Sequence, residues 1–189
     1  MKKFEICLED LSEFLETKSG QDFLSELAKS EDTIVLQQVA ECPQASTAML
    51  GDMLNRIIIV KNVKWDCDWD KYRTLTSIAN NAAADAIILD CLCDFALNEI
   101  KFYGYGSRAY DALLNALRAI GRNPNAAEAT LIKLLGNYTC VKTAVVENIA
   151  ISDELLIQIV ENHTDTDVRA AAAKQLAQRF KALRQAQTT

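Results

Sequence analysis

Helix breakers are scarce in this sequence: two prolines and six glycines are spread over 189 residues. That scarcity favours helices, because Pro and Gly are the residues that interrupt them. There is one histidine, His163, and no Ser or Cys has a His partner in its sequence context, which argues against a hydrolase triad. No phosphate-cradling loop is present, since Tyr103-Gly104-Tyr105-Gly106 is too short and no Lys-Ser/Thr follows it. The six cysteines, at 7, 42, 67, 91, 93 and 140, contain no C-x-x-C pair. Cys91 and Cys93 are two apart on an expected helix and point to nearly opposite sides, so they are poorly placed to share a metal. The expectation is six free thiols, no metal and no cofactor. No apolar run approaches the length of a membrane span, and Glu5, Glu9 and Asp10 stand where a signal peptide needs apolar residues. The chain therefore reads as cytoplasmic.

Half of the residues are hydrophobic and the net charge is −6. The charge is uneven. Residues 1–100 hold 9 basic and 18 acidic side chains, a balance of −9, whereas 101–189 hold 11 and 8, a balance of +3. A surface that grips nucleic acid carries the opposite bias. The acidic half would instead attract a basic protein.

A twelve-residue pattern occurs four times: VAECPQASTAML at 39–50, IANNAAADAIIL at 78–89, IGRNPNAAEATL at 120–131 and VVENIAISDELL at 145–156. Its first column is Val or Ile, its second is small in three copies (Ala40, Ala79, Gly121), and its last is always Leu. The fourth and fifth columns read Cys-Pro, Asn-Ala, Asn-Pro and Asn-Ile. These residues stop one helix, since Pro lacks an amide hydrogen and the residue before it avoids the helical region. Ser152, and Asn125 in the third copy, are placed to cap the next helix. The unit is helix, short turn, helix. One such pair cannot bury its apolar faces alone, but stacked pairs share a continuous core.

The pieces NPNAAEATL, VVENIAISDELL and Asp165-Thr166-Asp167-Val168-Arg169 resemble the variant leucine-rich repeat and its HEAT-like relatives. The likeness is best over 113–180, fair over 23–56 and weak between them. It implies an all-α, right-handed α-solenoid of about five helix pairs, forming one domain over 1–184. Residues 1–22 would be an N-terminal capping helix with Gly20 as its stop, 164–184 a C-terminal capping helix, and 185–189 a polar tail. In the family motif Arg169 begins a helix, which makes it structural rather than catalytic.

Spacings of 39, 42 and 25 residues between the pattern copies place extra residues near 60–73 and 101–110. Residues 65–110 hold eight of the thirteen aromatics. These side chains either lengthen helices and fill the core, or form a binding face, where solenoid insertions and Trp/Tyr hot spots tend to fall. The second reading gives a partner site with Trp65, Trp69, Tyr103 and Tyr105 as anchors and Asp66, Asp68 and Asp70 as an acidic rim. Gly104 and Gly106 between aromatics suggest an exposed loop. The aspartates are not a calcium loop, because Lys71 and Ser77 stand where Gly and Glu are needed.

The function expected from these features is non-enzymatic: an adaptor, scaffold or toxin-immunity-type binder of another protein, one of basic charge being the best fit. The resemblance also admits a DNA glycosylase-like enzyme, which the acidic front half disfavours, and a pigment-lyase-like helper enzyme. One variant leucine-rich repeat type carries an iron–sulfur cluster on a Cys-rich N-terminal segment, but only Cys7 and Cys42 lie in the first 66 residues here.

Overall fold

Short polar side chains set where the helices begin. Thr17, Asp32, Ser46, Asp85, Ser107 and Ser152 each accept a hydrogen bond from a backbone amide two or three residues ahead. They open α2 (Lys18–Leu27), α3 (Thr33–Glu41), α4 (Thr47–Asn55), α6 (Ala86–Glu99), α7 (Arg108–Arg122) and α10 (Asp153–Asn162). The other helices are α1 (Ser12–Leu15), α5 (Asp68–Asn80), α8 (Glu128–Leu135), α9 (Thr139–Val146) and α11 (Thr166–Ala186). This computed structural model describes residues 8–60 and 68–186, and among them there is no strand. No helix of the described residues is long and apolar enough to cross a membrane.

Successive helices pack in a row, α3 on α5, α5 on α7, α7 on α9 and α9 on α11, with α4, α6 and α8 following one another beside them. The repeated columns are the core of this arrangement. Val39, Ile78, Ile120 and Val145 are fully buried, as are Leu50, Leu89, Leu131 and Leu156. Small second-column residues let the row close up: a Cβ on Gly121 would lie 3.3 Å from Ala144 Cβ and from the backbone nitrogen of Val145.

The asparagines of the fourth column do more than end a helix. Asn81 donates both amide hydrogens to the preceding turn, at Ala40 O and Cys42 O, each 2.9 Å away. Asn123 repeats this on Ala79 O (2.8 Å) and Asn81 O (3.2 Å), and Asn148 on Gly121 O and Asn123 O (both 2.8 Å). Each carbonyl oxygen accepts the amide of its own turn, from Ala83, Asn125 or Ala150. All three side chains are buried, so these bonds satisfy helix-terminal carbonyls that water cannot reach. The ladder is closed at both ends by other side chains. Gln21 reaches Gln44 O at the first turn, and Arg179 of α11 reaches Asn148 O, Ile149 O, Ile151 O and the Asp153 carboxylate at the last.

Several local expectations change. Gly20 does not stop a helix; it lies in the first turn of α2, against the backbone of Phe14 and Leu15. The chain instead breaks at Thr17, which caps α2, so residues 8–22 are a short 3-10 turn, α1 and the start of α2. Asn125 does not cap α8, whose N-cap is Ala127; its amide donates to Ala82 O and Ala84 O of the neighbouring turn. Asp165 caps α11 through the amides of Asp167 and Val168, and Arg169 Nε donates to Val160 O at 2.9 Å. Of the residues counted as extra, 68–73 open α5 and 108–110 open α7, 101–107 form the connector between α6 and α7, and 61–67 lie outside the described residues; α5, α6 and α7 have 13, 14 and 15 residues, against 8 in α8 and in α9. Of the described cysteines, Cys42 and Cys93 are buried and Cys91 and Cys140 exposed. Burial pushes the Cys93 thiol up to about 12, so it stays protonated.

Candidate partner-binding surface

The N-terminal ends of α5 and α7 come together with the connector between α6 and α7, and this region holds the aromatic residues singled out above. Trp65 and Asp66 lie outside the described residues. Asp68 is the first residue of α5. Trp69 follows it, half-buried against the core, with the Arg73 guanidinium 5.6 Å from its ring centre. Asp70 is half-buried on the next position.

The two tyrosines of the connector have different surroundings. Tyr103 is half-buried, edge-on to Tyr72 at 5.6 Å, with the two hydroxyls 2.7 Å apart. Tyr72 is buried and donates to Glu99, which leaves its oxygen to accept from Tyr103. Tyr105 is 92 % exposed, and Phe102, in the 3-10 turn Ile100–Phe102, is 81 % exposed. One edge of Tyr105 rests on Tyr110 (5.4 Å), and Tyr110 rests on Tyr138 (5.8 Å). Gly106, at φ +76°, turns the chain from Tyr105 into the Ser107 cap of α7, a conformation L side chains rarely adopt. Tyr103 thus roots the connector, while Phe102 and Tyr105 project from it.

Charge around these rings is mixed. Lys71 Nζ lies 4.9 Å from the Phe95 ring centre and 5.6 Å from that of Tyr72. Lys101 and Arg108 are exposed on the connector and the start of α7, and Asp70, Glu99 and Asp111 stand on α5, α6 and α7. Tyr110 is pushed up to about 12, first by burial and then by its hydrogen bond with Tyr138, so it stays neutral at physiological pH.

Phe102, Tyr110 and Tyr138 belong to this surface and were not among the sequence-derived anchors. The Gly-flanked connector signalled exposure, but it could not tell Tyr103 from Tyr105. His163 sits apart, between α10 and α11, where Nδ1 accepts the Asp165 amide. Among the described residues no three His, Cys, Asp or Glu side chains are gathered as a metal site would require. No protein-family model matches the chain, and neither the curated proteins nor the solved structures compared with it gave a match.

Proposed function

We propose that this chain is a non-enzymatic binder of another protein, built as a right-handed HEAT-like α-solenoid of about five helix pairs. The successive packing of α3, α5, α7, α9 and α11, and the asparagine ladder that repeats from turn to turn, support the solenoid reading. The observation that carries the function is the pair Phe102 and Tyr105, held almost wholly in solvent on a connector rooted by packed tyrosines. Large apolar rings kept exposed on an ordered base are what a hot spot needs, because little entropy is lost on ordering them. Trp69 and Tyr103, both half-buried, and Trp65 are the further anchors of this reading. Asp66, Asp68 and Asp70 supply a rim that steers a basic partner. An immunity-type or adaptor role in the cytoplasm fits this reading.

The test separates half-buried from exposed anchors. Tyr105→Ala is expected to change stability by less than about 0.5 kcal/mol, while partner affinity falls by about 2 kcal/mol or more, roughly 30-fold. Trp69→Ala, losing a half-buried ring, is expected to cost about 2 kcal/mol of stability, somewhat under the range for a fully buried one. Calorimetric melting and titration with the partner measure both. Normal binding by Tyr105→Ala would move the site elsewhere.

A further inference from the structure

Two arginines of this protein are closely surrounded by acceptors. Arg56 donates to Ala28 O, Lys29 O and Ser30 O at 2.7–3.2 Å, and Arg179 to three carbonyls and Asp153. Arg118 Nε is buried with no hydrogen-bond partner, the one such side-chain atom among the described residues. Buried polar atoms are paired in the great majority of cases, so an orphan calls for a reason.

Its surroundings give one. Arg118 lines a groove of about 270 Å³ between the C-terminal halves of α5 and α7, with Thr76, Asn80, Asn115, Ala119 and Arg122. Thr76 already donates to Tyr72 O. The donors left to face a ligand are the amides of Asn80 and Asn115 and the two guanidinium groups. Among the described residues no carboxylate lines the groove, and Glu147 pairs with Arg122 at 3.3 Å. We propose that this groove is an oxyanion site, taking a carboxylate or a phosphate on Arg118 with Asn80, Asn115 and Arg122 as supporting donors.

The planar guanidinium fork matches two oxygens of either anion, and Arg118 is the group whose fork the protein leaves incomplete. Nε is closed to solvent as it stands, so binding requires the guanidinium to turn into the groove and present Nε and one Nη side by side. Water cannot satisfy Nε in place of the anion without the same turn. The site lies about ten residues along α5 from Trp69, some 15 Å at the helical rise, so it is separate from the aromatic surface.

The experiment is a titration of the full chain followed through the Arg118 Nε–Hε and Asn side-chain amide resonances. Sodium phosphate and sodium acetate are added in separate arms, each against sodium chloride at equal ionic strength. A saturable shift of Arg118 Hε together with Asn80 and Asn115 is expected in at least one arm. Phosphate alone would assign a tetrahedral anion; acetate as well would admit the carboxylate of an acidic side chain. Arg118→Gln should abolish the shifts at Asn80 and Asn115, and Arg118→Lys should weaken binding by about tenfold or more because it keeps the charge but loses the fork. Arg118→Met should melt no lower than the parent without anion, since it removes an unpaired buried N–H. Shifts no larger than those with chloride, or shifts that persist unchanged in Arg118→Gln, would overturn the proposal. So would a marked fall in the melting temperature of Arg118→Met without anion, which would show that Arg118 is already satisfied within the fold.

Discussion

Asn123→Ala is expected to lower the unfolding free energy by about 3–5 kcal/mol, a large part of what a domain of this size has to spare. Asn123 is 4 % exposed and serves three backbone groups: Ala79 O, Asn81 O and its own-turn amide at Asn125. Alanine strips all three at once, in a place where water can re-enter only by opening the turn. Each buried group left without a partner costs about 1–3 kcal/mol, and partial rehydration keeps the total below the sum of the maxima. Asn123→Asp adds a sign. A carboxylate would face two carbonyl oxygens, so the folded state would raise its pKa. The variant should be weakest at high pH and recover stability as pH falls through that raised value. Urea unfolding at several pH values measures both. A loss under about 1 kcal/mol for Asn123→Ala would mean that the ladder is incidental to the stack.

Gly20→Ala is the second large effect, and its direction opposes helix propensity. Ala is favoured over Gly inside a helix by about 1 kcal/mol. At Gly20, however, a Cβ would lie 2.0 Å from Phe14 O and 2.6 Å from Leu15 Cα, both backbone atoms that cannot swing aside. α1 and α2 would have to separate, exposing Leu15 and Leu24, which are fully buried. The expected cost is about 3 kcal/mol net, at the upper end for overpacking. Gly51→Ala is the matched control. It lies within α4, its nearest neighbour would be Ile88 Cδ1 at 3.8 Å, and it should stabilise by about 0.5–1 kcal/mol. Thermal unfolding of the two variants should move in opposite directions. A neutral Gly20→Ala would contradict the close approach.

These two sites show what the sequence reveals and what it leaves hidden. The buried columns were readable because their signal is local: apolar residues at helical spacing, a small neighbour and a polar break recur within twelve residues. Asn81, Asn123 and Asn148 were recognisable as breaks. Their second role depends on carbonyls 25 to 44 residues earlier in the chain, and only the packing of α3, α5, α7 and α9 brings those within reach. Gly20 has the same dual character, a stop by local rules and a contact point by tertiary ones. In the aromatic segment, Tyr103 and Tyr105 are equivalent in composition and spacing. Tyr72, 31 residues before Tyr103, is what draws one inward and leaves the other out. Capping by Ser152 could be read directly, because an N-cap acts only on amides a few residues ahead.

The central claim is that a partner protein docks on the exposed rings of the α6–α7 connector. A photo-crosslinking phenylalanine derivative placed at position 105, and in a second protein at Ile132, exposed on α8, tests it most directly. In cells that make the protein naturally, the account predicts one dominant protein adduct from position 105. The same adduct should be lost when Phe102→Ala is added, and position 132 should not give it. A strong adduct from position 132 with none from position 105 would contradict it.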